Sequence, residues 1–141
     1  MKKGSITFTI IKPIAVKERH AGEILSRIEG AGFSIKALRM IQLSKEETAA
    51  FYADHKGKPF YEKLINFISS GPIIAAVLEK ENAVEDFRKL IGATDPSQAA
   101  EGTIRKLYAK DKTHNAIHGA DSDENALKES QFFFNALQQF F

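Results

Sequence analysis

Cysteine is absent from the 141 residues. That excludes a disulfide framework, a thiolate metal site and a cysteine nucleophile, and it fits a reducing compartment, so the expected location is the cytoplasm. Proline, at 4, and glycine, at 9, are too few for a collagen-like or low-complexity chain. Long hydrophobic runs are missing as well. The longest, residues 72–78, falls far short of a membrane span, and no membrane contact is expected. The basic start Met1-Lys2-Lys3 leads directly into an alternating, strand-like segment, which is not the pattern of a signal peptide. A large excess of one charge is missing too: 20 Lys and Arg face 18 Asp and Glu, a net of +2. Nucleic-acid and membrane-surface proteins usually carry a large basic excess, so nucleic acid is not an expected partner.

What is present is ordinary globular material, 43% hydrophobic and 27% charged. The length suits one domain over residues 1–141. Charge is unevenly placed. Residues 103–115 carry Arg105, Lys106, Lys110, Lys112 and His114 against Asp111, whereas residues 121–129 carry Asp121, Asp123, Glu124 and Glu129 against Lys128. A basic loop running into an acidic helix start points to a local anion site.

Residues 6–11 alternate Ile6, Phe8 and Ile10 with Thr7, Thr9 and Ile11, a strand that stops at Lys12-Pro13. A helical stripe at residues 23–28 ends at Gly30 and Gly32. Residues 33–43 read as a strand with Ile35, Ala37, Arg39, Ile41 and Leu43 on one face, where the lone arginine is an irregularity. Ser44 and Glu47 spell a capping box opening a helix to about residue 54. A polar turn at 55–59 precedes a helix over 60–69 with Tyr61, Leu64, Ile65 and Ile68 inward, and Gly71-Pro72 breaks it. The apolar run 73–78 has the profile of a central strand. Asn82 caps a helix to Ile91. Residues 92–115 lack a long periodic element apart from a short helix near 103–108, and a loop of that length is usually functional. A short strand at 116–118, a turn at Gly119 and a helix from Ser122 to about Phe134 complete the chain. The order β-α-β-α-α-β-α-loop-β-α fits an α+β fold, the ferredoxin-like four-stranded antiparallel sheet covered by helices.

His118 has a setting unlike the other three histidines. It ends a strand, Gly119 lets another group approach the backbone, and the helix that follows favours negative charge at its start. Metal-ligand spacing, the G-x-S-x-G elbow, the P-loop and G-x-G-x-x-G are all missing. Phosphates, if bound, would rest on side chains, with Lys12, Arg88, Arg105 and Thr94 as candidates. Phe60, at a helix start, reads as core more readily than as a platform for a base. The residues alone therefore give an α+β domain with an anion site.

The segment Asn115-Ala116-Ile117-His118-Gly119-Ala120-Asp121-Ser122 resembles the N-x-x-H-G-S-D active-site signature of nucleoside diphosphate kinases. The five fixed residues Asn115, His118, Gly119, Asp121 and Ser122, at average frequencies, would arise by chance in about one such chain in tens of thousands. Further stretches resemble the same family in the same order: Ile11-Lys12-Pro13, Lys58-Pro59-Phe60, Ser70-Gly71-Pro72, Ile91-Gly92-Ala93-Thr94-Asp95-Pro96 and Gly102-Thr103-Ile104-Arg105. The resemblance implies that a nucleoside triphosphate passes its terminal phosphate to a nucleoside diphosphate through a phosphohistidine at His118, by a ping-pong mechanism. It implies phosphate contacts from Lys12, Arg88, Thr94 and Arg105, and ribose contacts from Asn115 and Lys12. Tyr52 would lie near the imidazole and Glu129 would orient it. Phe60, with Leu64 beside it, would stack on the base, and Asp121 would lie near a magnesium ion carried by the nucleotide. A homo-oligomer, hexamer or tetramer, is the family habit. The alternative is a non-catalytic nucleotide-binding module on the same fold.

The chain departs from the pattern in places. Ala120 stands where serine is usual, removing a hydroxyl that could reach Glu129; Ile14 replaces aspartate, Glu101 replaces proline, and Lys106-Leu107 replaces glycine-aspartate. Five of the 11 phenylalanines, Phe132, Phe133, Phe134, Phe140 and Phe141, fall in the last ten residues. Such aromatic surface is expected to be buried, preferably against a neighbouring subunit.

Overall fold

β-Branched and aromatic residues fill β1 (Ile6–Ile11), and all six of its side chains are buried. The computed structural model describes residues 4–141, so the basic start Met1-Lys2-Lys3 lies outside the described residues. β1 is flanked on one side by β3 (Ile73–Glu79) and on the other by the short β4 (Ile117–Gly119). β2 (Ser34–Ile41) pairs with the far side of β3, giving the order β2-β3-β1-β4 with every pairing antiparallel. This is the expected ferredoxin-like sheet.

Helices cover both of its faces. One layer comes from the crossovers: α1 (Pro13–Lys17) and α2 (Ala21–Gly30) lie between β1 and β2, while α5 (Ala83–Ile91) and α6 (Ile104–Tyr108) lie between β3 and β4. Ile24, Ile28, Phe87, Ile91 and Ile104 pack there against Ile11, Ala76, Leu78 and Ile117 of the sheet. The opposite layer comes from α3 (Lys45–Phe51), α4 (Tyr61–Ile68) and α7 (Asp123–Phe133). Leu64, Ile65, Ile68, Ala126 and Phe133 pack there against Phe8, Ile10, Ala75 and Val77. With both faces covered, the central strands read as nearly continuous apolar runs. Short 3-10 turns at Ala53–His55 and Pro96–Gln98 fill connections, and one at Ala136–Gln138 follows α7.

Local capping chemistry sets several helix starts. Ser44 Oγ accepts from the Glu47 amide and Glu47 Oε1 accepts from the Ser44 amide, a complete capping box. Ser122 Oγ accepts from the Asn125 amide and opens α7.

Two expectations need correction, the shared face of β2 and the Asn82 cap, and the surroundings of Arg39 and of the terminal phenylalanines become visible. The β2 residues do not share one face, because a bulge between Ile35 and Ala37 shifts the register; Ile35 packs with the α2 and α5 layer, and Ala37 with the other. The irregular Arg39 donates from Nη1 to the carbonyl of Phe133 at 3.2 Å, supplying a partner to an orphan carbonyl at the end of α7. Asn82 precedes α5 but makes no capping bond. Its backbone is left-handed at φ 56°, and its amide nitrogen donates to Glu85 and Asp86. The terminal phenylalanines divide: Phe133 and Phe134 are buried, whereas Phe132, Phe140 and Phe141 are exposed on the single chain.

Candidate active site

A cavity of about 1240 Å³ opens between the end of β1, β4, α7 and the segment from residue 50 to 64. All eleven candidate residues line it: Lys12, Tyr52, Phe60, Leu64, Arg88, Thr94, Arg105, Asn115, His118, Asp121 and Glu129. Seven Lys and Arg side chains line the cavity against three carboxylates. The near-neutral chain thus gathers basic side chains in one concavity; of the basic stretch 103–115 only Arg105 and Lys112 line it, and the other five cations come from elsewhere in the chain.

His118 projects from β4 onto the α7 face of the sheet. Its Nε2 is 2.7 Å from Glu129 Oε1, and both side chains are 19% exposed. An ionised carboxylate only accepts hydrogen bonds, so this contact puts a proton on Nε2, the tautomer of the neutral imidazole in which Nδ1 carries the lone pair. Phe8, Phe51 and Tyr52 present rings to the imidazole with centroids 6.2, 5.7 and 6.1 Å away, all T-shaped. Gly119 does allow a close approach, but by the protein's own core: a Cβ there would sit 2.9 Å from Ile91 Cδ1 and 3.1 Å from Phe87 Cδ2.

Lys12 ends β1 where the sheet meets the cavity. Its amide donates to the Ala116 carbonyl at 2.8 Å, and its Nζ donates to Asn115 Oδ1 at 2.6 Å. Burial, then the charge of Arg105, lowers the Lys12 pKa to about 7. Asn115 also donates to the Thr94 carbonyl at 3.4 Å. The next residue, Ala116, is left-handed at φ 73°, a strained conformation for a side chain with a Cβ, where the loop enters β4.

Arg105 is 9% exposed on α6. Its Nη1 donates to the Gly92 carbonyl and its Nη2 to the Ile117 carbonyl, each at 2.9 Å, tying the loop start to β4. Burial, then Arg88, pulls its pKa down to about 10, so it stays cationic at neutral pH. Arg88 and Thr94 are exposed at the cavity wall. The Tyr52 phenol is buried, and burial with the Glu129 carboxylate pushes its pKa up. Tyr52 Oη and Arg105 Nε have no hydrogen-bond partner among the described residues.

Residues 5–138 match the family model described as "Nucleoside diphosphate kinase". A nucleoside diphosphate kinase of Chlorobaculum tepidum is 58% identical over 130 residues, 92% of this chain and 93% of the relative. One from Flavobacterium psychrophilum is 54% identical over 134 residues, covering 95% and 96%. The solved Aquifex aeolicus enzyme superposes with a TM-score of 0.94 at 42% identity, covering 96% of this chain and 98% of that one. The Halobacterium salinarum enzyme, solved with CDP, gives 0.93 at 36% identity, covering 98% and 92%. The chain belongs to the nucleoside diphosphate kinase family. It is a phosphotransferase acting on nucleotides.

Within this nucleoside diphosphate kinase fold, Phe60 stands at the entrance to α4, 45% exposed. The core reading of its ring is therefore wrong; α4 buries Leu64, Ile65 and Ile68 instead. Its neighbours are His55, 5.5 Å ring to ring, and Lys58, whose Nζ is 5.9 Å from the ring centre. Sequence reading missed His55, Lys58, Phe51, Lys128 and Phe132, which also line the cavity. Lys58 had a signal in the Lys58-Pro59-Phe60 stretch; Lys128 and Phe132 had none beyond sitting within a turn of Glu129.

Proposed function

We propose that the enzyme moves the terminal phosphate of a nucleoside triphosphate to a nucleoside diphosphate through phospho-His118. The observation that carries this reading is the 2.7 Å contact between Glu129 and His118 Nε2, which leaves Nδ1 as a free nucleophile facing a cationic cavity. In the first step the Nδ1 lone pair attacks the γ-phosphorus. The bond to the β–γ bridging oxygen breaks, and its electrons leave on the diphosphate product. The second nucleoside diphosphate then attacks the phosphorus and returns the electron pair to Nδ1. Splitting the transfer through a covalent intermediate lets one site serve both nucleotides in turn.

Phosphoryl transfer asks chiefly for positioning and charge neutralisation. Lys12, Arg88 and Arg105 supply three cations. The unpartnered Tyr52 Oη and Arg105 Nε are buried donors that a polyanion satisfies. Asn115, with Lys12, would hold the ribose hydroxyls, Thr94 a phosphate, and Leu64 would flank the base on Phe60. A base held by stacking alone is not discriminated, since every base has a π-face.

Magnesium fits this cavity as cargo of the nucleotide. No group of three or more His, Cys, Asp or Glu side chains able to hold a metal occurs among the described residues. Asp121 offers a single carboxylate at the cavity, fixed by a 2.6 Å bond from Asn125 Nδ2. One carboxylate beside substrate phosphates is the usual way magnesium is held, and the ion neutralises charge on the transferring group.

Leu38 and Met40, exposed on the edge strand β2, and the exposed Leu137 and Phe140 of the C-terminal segment are apolar side chains that a second copy of the chain would cover, and on these rests the reading of a homo-oligomer. A cysteine-free chain supports work in the cytoplasm. No helix among the described residues is long and apolar enough to cross a membrane.

The test is intact-protein mass after brief exposure to ATP and magnesium, followed by a different nucleoside diphosphate. Gain of one phosphoryl group, acid-labile and discharged by the acceptor, is expected from the native chain and absent from His118→Ala. Saturable nucleotide binding with no mass gain would favour the non-catalytic binding module.

A further inference from the structure

Thr7 and Thr9 lie on the same face of β1 and are both fully buried, yet their hydroxyls are used differently. Thr9 Oγ1 donates to the backbone carbonyl of His118 at 2.7 Å. Thr7 Oγ1 has no partner among the described residues. The Thr9 bond falls where the sheet has least else to hold it. β4 has three residues and a single neighbouring strand, β1, so the proposed nucleophile rides on an edge held by a few ladder bonds.

The geometry places Thr9 behind the nucleophile. Ile10 pairs with His118, and Thr9 pairs with Gly119; side chains alternate along a strand, so the Thr9 hydroxyl sits on the face opposite the imidazole. Gly119 has no side chain to set across the strand pair from Thr9, and Ile91 and Phe87 of α5 close that position off. The hydroxyl reaches the carbonyl of the preceding residue, His118. Thr9 is not among the residues lining the cavity.

We propose that Thr9 is a positioning residue for the phosphoryl transfer, resting on the reading of His118 as the phosphorylated group. Glu129 fixes the imidazole at Nε2, and Thr9 fixes the backbone that carries it. Together they set where Nδ1 stands relative to the incoming phosphorus. In-line attack is sensitive to small displacements of the reacting atoms. A group that holds the nucleophile without touching the nucleotide acts on the chemical step and leaves binding alone.

The test compares Thr9→Val, Thr9→Ser and Thr7→Val with the native enzyme. The measurements are the single-turnover rate of phosphoenzyme formation with ATP and magnesium, and the steady-state KM for ATP. Thr9→Val should slow phosphorylation by about threefold to tenfold, the range for one neutral hydrogen bond, with KM changed by less than about twofold. Thr9→Ser, which keeps the hydroxyl, should recover most of the rate. Thr7→Val removes an unpartnered hydroxyl from the same strand face and should leave the rate as it is.

Native speed in Thr9→Val, equal slowing in Thr7→Val, or no recovery in Thr9→Ser would each overturn the proposal. If Thr9→Val does not fold, Thr9→Ala is compared with Thr9→Ser, a pair that differs only by the oxygen; equal rates there would overturn it as well. His118→Ala in the same assay separates the two layers of the argument. A phosphorylated His118→Ala protein defeats the phosphohistidine reading, whereas an inert one beside a full-speed Thr9→Val protein defeats only the role of Thr9.

Discussion

Lys12 Nζ lies 2.6 Å from Asn115 Oδ1, a bond between residues 103 positions apart. It joins the end of β1 to the loop before β4, and it places a buried ammonium at the back of a cationic cavity. Burial and Arg105 hold the Lys12 pKa at about 7 against an ordinary 10.5. Between those values the unfolded chain binds the proton that the folded chain has released. The Lys12 contribution therefore makes the free enzyme more stable as pH rises through that window. A polyphosphate reverses the balance by favouring the ammonium. Nucleotide binding near pH 8 should take up protons, read as a dependence of the calorimetric binding heat on buffer ionisation enthalpy. Lys12→Met should abolish the uptake, and native binding with no buffer dependence would show that Lys12 is already charged.

Arg105 is a cation and a tie at once. Its two Nη groups hold the carbonyls of Gly92 and Ile117, which lie on opposite sides of the loop. Arg105→Ala should lower kcat by at least about tenfold, as expected for a group acting on transition-state charge. Arg105→Lys keeps the charge, but a single ammonium lacks the planar fork that holds two carbonyls. Both variants should therefore melt below the native enzyme, and lysine should rescue kcat only in part. Full rescue by lysine would reduce the role of Arg105 to its charge.

The central strands were legible because burial on both faces leaves an unmistakable apolar run at 73–78, and Ser44-Glu47 and Ser122 were legible because capping is local chemistry. α1 was not, since five residues, Pro13–Lys17, are too few to show a helical stripe. The β2 bulge was hidden because one inserted residue inverts a period-2 pattern without any change in composition. The partner of Arg39 is a carbonyl 94 residues away, which no periodicity reveals. The cavity was legible through motif resemblance alone. Lys12, Tyr52, Arg88 and Glu129 come from separate elements and meet only in the folded chain, and each by itself looks like an ordinary surface or core group.

Phe60 separates substrate binding from folding. Its ring is nearly half exposed, so truncation removes little core. Phe60→Ala should raise KM for nucleoside diphosphates by about tenfold, within the range for loss of one base–aromatic stack, with the melting temperature almost unchanged. Purine and pyrimidine substrates should both lose affinity, because stacking carries no base-edge readout. Steady-state kinetics with GDP and CDP check this, and a loss confined to one base would show that Phe60 is part of a selective contact.

Gly119 distinguishes two reasons for a glycine after the nucleophile. If the missing side chain made room for substrate, Gly119→Ala would raise KM and leave stability alone. The structure instead puts Ile91 Cδ1 2.9 Å and Phe87 Cδ2 3.1 Å from the position of the added carbon, so the methyl group would press on the α5 layer. Overpacking of this kind costs about 1–3 kcal/mol. It would also push the three-residue β4 away from α5 and displace His118 from Glu129. Gly119→Ala should therefore unfold at lower denaturant and show a lower kcat with little change in KM. Ile91→Val trims the side chain nearest the clash, so the double variant should regain part of both losses. Recovery of stability in the double variant, measured by urea unfolding, would assign this glycine to packing; a raised KM at native stability would assign it to the substrate.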